Sequence, residues 1–319
     1  MELQLKNIGM IKEANVKIDG LTVIAGENDT GKSTVGKTLF TIFNSLKNIR
    51  RLNTKDFDVY QSQYYLNYYF VFREEPRDNC YMGIEIDGLV FDFSYFKKEN
   101  NFNKIQNNIN DIVFIESPLV WSFTDFFRDI AQIESQMRIE LDYPYLMKDL
   151  NFKIHIKSAL DGLDIKEKVT SLMGGEFKKD EMGRYYFDKK GQRIELVNTA
   201  TGIKYFGIFQ VLSQNNYLNE NTVLVLDEPE VHLHPKWQLE MAKIIVELVQ
   251  NGIKIVVNSH SPYMIQALIK YARDKDIVDK SNFYLTQKNG DYASIDNVND
   301  ELNKIFELLA KPMNEVFEL

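Results

Sequence analysis

The sequence predicts an α/β fold, because three short apolar segments each end in polar residues of the kinds that bind ligands. The segments cover residues 21–25, 222–226 and 253–257, and helical patterns follow the first two. Apolar runs of this length, bounded by polar residues, are typical of buried strands in a parallel sheet. Because ligands bind at the carboxyl ends of such strands, the residues after each segment are the candidates for a site.

A phosphate-binding loop follows the first segment. Residues 26–34 read Gly-Glu-Asn-Asp-Thr-Gly-Lys-Ser-Thr, a complete G-x-x-x-x-G-K-[ST] motif. Such glycines let backbone N–H groups surround phosphates, and the start of the next helix favours an anion. The loop predicts a nucleoside triphosphate site made by Gly26, Asn28, Asp29, Thr30, Gly31, Lys32, Ser33 and Thr34.

Two side chains of this loop have predicted roles beyond the backbone. Lys32 reaches the β- and γ-phosphates in this motif, and the Ser33 hydroxyl ligates Mg2+. We therefore expect ATP and Mg2+ as ligands.

The second segment delivers two acids. Asp227 and Glu228 follow four consecutive apolar residues, so both stand where a buried strand ends. We predict that Asp227 holds Mg2+ opposite Ser33 and that Glu228 polarises the attacking water. A base in this role typically contributes about 10²- to 10⁴-fold to rate.

The third segment brings His260 to the same edge of the sheet, where a neutral imidazole can contact the γ-phosphate and the attacking water. A helix is predicted from Pro235, with Gly252 at its carboxyl end. His232 and His234 precede that helix. Since neither belongs to a zinc-binding pattern, we interpret them as structural or interface residues.

Composition narrows the class of protein. The chain has 319 residues, 44% of them hydrophobic, and a net charge of −8. A broad basic face for nucleic acid is therefore unsupported, although a local one remains open. The sequence contains no apolar run long enough for a membrane span and no secretory signal, and its single cysteine, Cys80, fits a reducing cytoplasm.

The order of these motifs resembles the ABC ATPases. The segments 227–235 (DEPEVHLHP) and 258–262 (NSHSP) resemble the OLD-like branch, related to RecF and to SMC heads. Within that branch the chain is similar to the ATPase subunits of antiphage systems such as Septu, PARIS and Gabija. The resemblance covers about 1–50 and 196–285. It implies an ABC-ATPase head, a P-loop NTPase fold with a mixed sheet, an antiparallel β subdomain and an α-helical insertion.

Three regions follow from this resemblance. We expect an ATPase lobe over 1–120, a helical and β insertion over 121–195, and a second ATPase lobe over 196–319. Within them, residues 80–93 predict a hairpin that turns at Asp87-Gly88, and an aromatic run before it predicts core or partner packing. Residues 121–163 read as interrupted helices, 176–197 as two strands, Asn289-Gly290 as a hairpin turn and 302–319 as a final helix.

The family implies a dimer in which each head offers a signature helix to the other's γ-phosphate. The matching segment is 198–204 (NTATGIK), where Ala200 replaces the usual serine. Thr201 and Gly202 are the candidate contacts, and Thr199 is an alternative to Thr201. Lys204 either adds a charge across the dimer or is a surface lysine.

The family's glutamine loop corresponds to residues 111–118, which contain no glutamine. Either Glu116 or Ser117 takes part in Mg2+ or interlobe contact, or Pro118 simply ends the strand.

A nuclease domain is not expected. Only 59 residues follow His260, and Asp274-x-Asp276, which fits part of a TOPRIM site, lies in a charged stretch after a helix.

From the motifs and the resemblance together we predict a cytoplasmic Mg-dependent ATPase that works as a nucleotide-sandwich homodimer and controls a separately encoded effector in antiphage defence. The alternatives are a RecF-like recombination ATPase and an ATP-gated scaffold with little turnover. The effector, the trigger, the stoichiometry beyond a dimer and the binding of DNA or RNA stay open.

Overall fold

The computed structural model describes residues 1–52, 57–76, 79–86, 88–92, 111–137 and 144–317. The chain divides into two compact units, the first formed by Met1–Ile112 with Glu220–Leu319 and the second by Val113–Asn219. This division groups the segment 196–219 with the second unit, whereas the sequence pattern grouped it with the final lobe. The functional division into 1–120, 121–195 and 196–319 stays a prediction.

Strands and helices both occur throughout the described chain, in runs of one to three elements of the same kind. The strands are β1 (Glu2–Ile8), β2 (Ile11–Lys17), β3 (Leu21–Gly26), β4 (Tyr81–Ile86), β5 (Leu89–Asp92), β6 (Asp111–Ile115), β7 (Glu176–Lys179), β8 (Tyr185–Lys189), β9 (Gln192–Glu195), β10 (Thr222–Asp227), β11 (Lys254–Ser259), β12 (Ser281–Asn289) and β13 (Tyr292–Asn297). The helices are α1 (Lys32–Leu52), α2 (Phe57–Phe72), α3 (Thr124–Met137), α4 (Tyr145–His155), α5 (Lys166–Met173), α6 (Thr201–Gln214), α7 (Pro235–Gln250), α8 (Pro262–Asp274) and α9 (Asn303–Phe317). None of the helices in the described part of the chain combines the length and apolar character that a bilayer span requires.

The first unit is built on a mixed sheet, as the sequence predicted. Its strands are ordered β5-β4-β1-β2-β13-β12-β3-β11-β10. The four strands β12, β3, β11 and β10 run parallel, whereas β5, β4, β1 and β2 are antiparallel to their neighbours in that series. At the β10 edge the backbone N–H of Asp111, the first residue of β6, donates to the Asn221 carbonyl.

The three predicted apolar strands are β3, β10 and β11. Every residue of β3 is buried, which fits a central strand covered on both faces. Asp227 pairs with Asn258, and Ser259 pairs with Ala25, so the three strands end at one level of the sheet. We call the ends of β3, β11 and β10 the carboxyl edge.

Two strand pairings in this sheet were not predicted, that of β1 with β2 and that of β12 with β3. The strands β1 and β2 form an antiparallel pair whose inward positions alternate with exposed ones, a half-buried pattern that the sequence also carries. The predicted Asn289-Gly290 hairpin is confirmed between β12 and β13. Its first strand also pairs in parallel with β3, a neighbour that no local pattern in the sequence indicates.

The aromatic run lies on α2, and its side chains divide between core and surface. Tyr64 and Tyr68 are buried, whereas Tyr65 and Tyr69 are exposed. Core packing therefore accounts for one face of the helix. The β4–β5 hairpin is also present, with Gly88 at a positive φ of 76°, while Asp87 and Phe93 lie outside the described residues.

The second unit combines helices α3 to α6 with the antiparallel sheet β7-β8-β9. The predicted interrupted helices are present as α3 and α4, but the expectation of two strands over 176–197 was wrong, because three are found. The additional turn is closed by Asp180, which accepts hydrogen bonds from the backbone N–H groups of Met182 and Arg184.

The predicted final helix of the chain is α9, and residues 318–319 of that prediction lie outside the described residues.

Candidate functional site

The loop between β3 and α1 stands at the carboxyl edge. It passes so close to neighbouring elements that two positions admit only glycine. A Cβ atom at Gly26 would collide with the side chain of Thr286 on β12, and one at Gly31 would lie 2.6 Å from Ile11 Cδ1 on β2. Gly31 also has a φ of +80°. The surrounding strands therefore fix the path of the loop.

The backbone of this loop is available to an anion. Among the described residues, no acceptor takes a hydrogen bond from the backbone N–H groups of residues 27–31. The Thr30 hydroxyl instead fastens the loop, since it donates to the Glu27 carbonyl at 2.7 Å and lies 2.5 Å from Thr286 Oγ1. The predicted contribution of Thr30 to phosphate binding thus falls to its backbone, because its side chain is buried and engaged.

Lys32, the first residue of α1, is folded over the loop. Its side chain is only 5% exposed, and Nζ donates to the Glu27 carbonyl at 2.6 Å and lies 3.7 Å from Glu228 Oε1. Burial lowers the pKa of Lys32, while the neighbouring carboxylates, led by Glu228, oppose that shift. A buried ammonium of this kind gains most from a polyanion in the loop.

Ser33, Asp227 and Asn258 form a second cluster at the same edge. Ser33 Oγ donates to Asp227 Oδ1 at 2.9 Å, and Asn258 Nδ2 donates to the same oxygen at 2.8 Å. Burial raises the pKa of Asp227, and these two hydrogen bonds act against it. Within the described chain no donor contacts the other carboxylate oxygen, Oδ2, so a hydroxyl and a carboxylate oxygen converge on one place. These are the hard oxygen ligands that Mg2+ takes.

Glu228 leaves the strand in a constrained conformation. Its φ is +49°, in the left-handed region, and its backbone N–H donates to the Asn258 carbonyl at 2.9 Å. A non-glycine residue held there costs about 1–3 kcal/mol, and such residues cluster at functional sites. His260 Nδ1 lies 3.3 Å from Glu228 Oε1, without the alignment of a hydrogen bond. The three predicted catalytic residues, Lys32, Glu228 and His260, are therefore neighbours.

Glu230 is a site residue that sequence reasoning missed. Its side chain is buried, and Oε1 accepts hydrogen bonds from Ser259 Oγ and from the backbone N–H groups of His260 and Ser261. Burial raises the pKa of Glu230, and its hydrogen bonds oppose the shift. The available signal was a second glutamate two residues after Glu228, but nothing local in the sequence pairs it with the histidine turn.

The remaining loop residues lie at the surface or at the start of α1. Asn28 is exposed, and Asp29 has a φ of +59° and pairs with Lys288 on β12 at 2.5 Å. The backbone N–H of Thr34 donates to the Gly31 carbonyl. Asp29 thus links the loop to β12 through its side chain, in parallel with the contact from Thr30.

The predicted signature segment belongs to the second unit. Ala200 is the N-cap of α6 and supplies no side-chain hydrogen bond to the helix. Of the two threonines, Thr199 is buried and donates to the Glu195 carbonyl at 3.0 Å, whereas Thr201 is exposed. Thr201 and the half-buried Gly202 therefore remain available to a ligand or partner, and Thr199 does not.

The other residues considered in the sequence lie at helix ends or at the surface. His234 is the N-cap of α7, where Nδ1 accepts the Lys236 N–H, and His232 is exposed with a φ of +73°. Ser117 caps the short 3₁₀ helix that begins at Pro118. Lys204, in the first turn of α6, is half-buried, and burial lowers its pKa.

Asp274 and Asp276 follow each other closely at the end of α8. Both are exposed, and Asp274 pairs with Lys270 on its own helix at 2.5 Å.

Part of the chain matches a known protein family. A family model described as an AAA ATPase domain (AAA_15) matches residues 93–265, which is more than half of the chain. The matched range contains Asp227, Glu228 and His260, and it begins after the phosphate loop.

One protein matches a short segment of the sequence, and two solved structures match the fold over nearly the whole chain. Septu protein PtuA of Bacillus thuringiensis is 38% identical over 45 residues, which cover 14% of this chain and only 11% of that protein. An Smc head bound to the C-winged helix domain of ScpA is 12% identical with a TM-score of 0.51, covering 95% of this chain and 98% of the other. A second Smc head, with an extended coiled coil and bound to the C-terminal domain of ScpA derived from Pyrococcus furiosus, is 13% identical with a TM-score of 0.51 and covers 98% of both chains. At these identities the structural likeness shows the fold alone, and it confirms the predicted ABC-ATPase head.

Proposed function

This chain belongs to the AAA ATPase domain family, and on that premise we propose that it hydrolyses ATP with Mg2+ at the carboxyl edge. One observation carries the proposal. Side chains that follow three separate strand ends meet in two groups, in which Ser33 bonds to Asp227 while Lys32 and His260 both lie within ion-pair distance of Glu228. Phosphate transfer needs mainly positioning and electrostatic stabilisation, and these groups supply both.

Binding of the triphosphate rests on the loop and on Lys32. The unengaged N–H groups of residues 27–31 and the N-terminus of α1 are available to an anion, and Lys32 adds a full charge. In the described structure this ammonium is held by the Glu27 carbonyl. A phosphate oxygen would replace that carbonyl with a charged acceptor, which makes a stronger bond.

Ser33 and Asp227 are the residues that would hold Mg2+, and Asn258 keeps the carboxylate oriented. When bound, the ion would supply positive charge that neutralises the phosphates. Asp227 must be ionised to act as a ligand, and the hydrogen bonds from Ser33 and Asn258 favour its ionised form against the effect of burial, which raises its pKa.

Glu228 is the residue we assign as general base. Its carboxylate oxygen Oε1 lies 3.7 Å from Lys32 Nζ and 3.3 Å from His260 Nδ1, and its backbone is held at a φ of +49°. Glu228 accepts the proton of the attacking water, and His260 holds the water and the γ-phosphate oxygen. Lys32 stabilises the negative charge that moves onto the phosphate oxygens.

The test is turnover of ATP by the purified chain with and without Mg2+, together with binding of ATP measured separately. We expect Mg-dependent release of phosphate that is lost with EDTA. Release at the same rate by Glu228→Gln would contradict the assignment of the base. Tight ATP binding without any turnover would contradict the proposal of an ATPase.

We further propose that two copies of the chain sandwich two nucleotides and that this dimer is the cytoplasmic ATPase of an OLD-like antiphage system related to Septu, PARIS and Gabija. The short match to Septu protein PtuA supports this placement, and the uncapped N-terminus of α6 supports a nucleotide contact in trans. A separately encoded effector is expected to dock on the 121–195 region, which the ATP chemistry constrains least.

The defence role is tested by expressing the chain with its gene neighbours in a susceptible host and measuring phage plating efficiency. We expect protection that disappears with Glu228→Gln. Pull-down with mass spectrometry from the native host should recover the effector. Protection that is unaffected by the substitution would separate defence from ATP hydrolysis.

A second candidate function is an ATP-gated scaffold with little turnover. Ala200 favours it, because the position that usually contacts phosphate through a serine offers only backbone here. A turnover number below about one per hour, with dimerisation by Mg-ATP intact, would support the scaffold, since typical enzymes run at about 1–10³ per second.

We also propose that this chain does not cleave nucleic acid. Asp274 is exposed and paired with a lysine on its own helix, a surface arrangement rather than a catalytic one. The purified protein is incubated with plasmid, single strands and RNA in Mg2+ or Mn2+. Cleavage that survives purification and disappears with Asp274→Ala would make the chain a nuclease.

A further inference from the structure

The turn that carries His260 is held by one buried carboxylate. Glu230 Oε1 accepts three hydrogen bonds, from Ser259 Oγ at 2.8 Å, from the His260 N–H at 2.8 Å and from the Ser261 N–H at 3.1 Å. In the described part of the chain the other oxygen, Oε2, is buried without a partner. The hydrogen bonds that the carboxylate accepts from other residues therefore all come from residues 259–261.

The imidazole of His260 lies against the same oxygen. Its Nδ1 atom is buried and lies 3.5 Å from Glu230 Oε1, while the side chain as a whole is 40% exposed. The inner edge of the ring thus faces two carboxylates, Glu228 and Glu230, and the edge with Nε2 faces outward. Both the backbone and the ring of His260 are therefore positioned against Glu230.

The position of Glu230 in the chain couples two catalytic groups. It stands two residues after Glu228, across Pro229, and the turn between them is closed by the bond from the Val231 N–H to the Glu228 carbonyl at 3.0 Å. One short segment therefore contains both the base and the group that holds His260. The distance between Glu228 and His260 is set by that segment.

Holding a turn with a buried carboxylate has a high cost in free energy. Burying a charged group away from water is unfavourable unless it is paired and hydrogen-bonded, and here only one of the two oxygens is satisfied. The three hydrogen bonds onto Oε1 offset part of this cost, and together they fix the backbone of residues 259–261 relative to Glu230.

We propose that Glu230 is a positioning residue for ATP hydrolysis, which holds the backbone and the imidazole of His260 at a fixed distance from Glu228. This inference rests on the proposed ATPase function. Glu230 does not touch the nucleotide in this scheme, and it acts through His260. Loss of its carboxylate oxygen should therefore impair turnover and leave ATP binding nearly intact.

The kinetic experiment compares four variants of the full chain: Glu230→Ala, Glu230→Gln, His260→Ala and Glu230→Ala with His260→Ala. We expect Glu230→Ala to lower kcat about 10- to 100-fold, with KM changed less than about threefold, because misplacement of a reacting group has effects of that size. Glu230→Gln should recover most of the rate, since its amide oxygen accepts the same N–H groups. In the His260→Ala background, Glu230→Ala should add no more than about twofold.

Ser281→Ala is the matched control. It removes a buried hydrogen bond, from Ser281 Oγ to the Ile277 carbonyl at 2.7 Å, that does not involve Glu230 or the His260 turn, so it should stay within about threefold of the wild-type rate. If Glu230→Ala fails to fold, Glu230→Asp replaces it, because the shortened carboxylate keeps its charge and cannot reach the turn. Losses that multiply in the double variant, or an equal loss of ATP binding, would overturn the proposal.

A spectroscopic arm separates this proposal from the ATPase function itself. The chain has four histidines, so the imidazole nitrogen signals of His260 can be assigned by comparison with His260→Ala. We expect these signals to shift in Glu230→Ala and to return in Glu230→Gln, even in a protein that shows no turnover. Unchanged signals in Glu230→Ala would overturn the positioning role.

Discussion

The carboxyl edge of the first unit and the N-terminal turn of α6 in the second are both predicted to contact nucleotide, and they are built in opposite ways. At the carboxyl edge the polar side chains already engage one another, as in the bonds from Ser33 and Asn258 to Asp227. At α6 the N-cap is Ala200, and the neighbouring Thr199 hydroxyl is directed at the Glu195 carbonyl. One region offers arranged side chains, and the other offers mainly backbone.

This difference has consequences for substitution. Side chains in a connected network depend on each other, so replacing one of them should change binding or rate strongly. A region that acts through backbone N–H groups should tolerate changes of its side chains better. Substitutions in the two regions should therefore differ clearly in the size of their effects.

The largest effect is expected from Lys32→Met. The substitution keeps the volume and removes the charge that faces the phosphates, so ATP affinity should fall at least about 100-fold, the loss of several charge-assisted hydrogen bonds. Isothermal titration calorimetry measures it. The control is Lys288→Met, which removes an exposed charge paired with Asp29 on the same loop and should change affinity less than about threefold. Equal losses in both variants would refute a special role for Lys32.

Glu228→Gln should separate binding from chemistry. We expect ATP affinity to be kept while hydrolysis drops by about 100-fold or more, because the amide cannot accept the proton of water. Unhydrolysed ATP should then hold two copies together, which light scattering on a sizing column detects with Mg-ATP. Glu240→Gln, at an exposed ion pair on α7, is the control for loss of a carboxylate. A monomer in Mg-ATP would argue against the sandwich.

In the second unit, Thr201→Ala and Thr199→Ala form a matched pair. Thr201 is exposed at the start of α6, so its loss should lower turnover by about 3- to 10-fold, comparable to one hydrogen bond, without changing stability. Thr199→Ala should lower the free energy of unfolding by about 1 kcal/mol, because its bond to Glu195 is lost, and should leave turnover unchanged. The reverse pattern would assign the nucleotide contact to Thr199.

The smallest effect concerns stability without nucleotide. Burial lowers the pKa of Lys32, so the unfolded chain binds this proton more tightly than the folded chain does, and the charged lysine destabilises the fold at neutral pH. Lys32→Met should therefore raise the Tm of the nucleotide-free protein by about 1–3 °C. The gain should shrink as the pH rises from the lowered pKa towards the usual 10.5. A lower Tm at neutral pH would contradict this.

Much of the candidate site is readable in the sequence because its parts are local. The loop over 26–34 lies within one strand–turn–helix unit, and Asp227 and Glu228 follow directly on an apolar strand. Parallel strands bring their carboxyl ends together, so the sequence pattern by itself places His260 beside the acids. The α/β class and the mixed sheet followed from the same short-range patterns.

Tertiary structure alone decided which distant residues support that site. The Thr30–Thr286 contact joins residues 256 positions apart, and Glu230 reaches the histidine turn across the whole of α7. Such pairs depend on the order of strands, above all on the insertion of β12 beside β3. Strand order reflects the packing of the whole unit, whereas the pattern in any single segment reflects only which of its faces is buried. The sequence therefore determined which groups meet at the proposed site, and the packing determined what holds them in place.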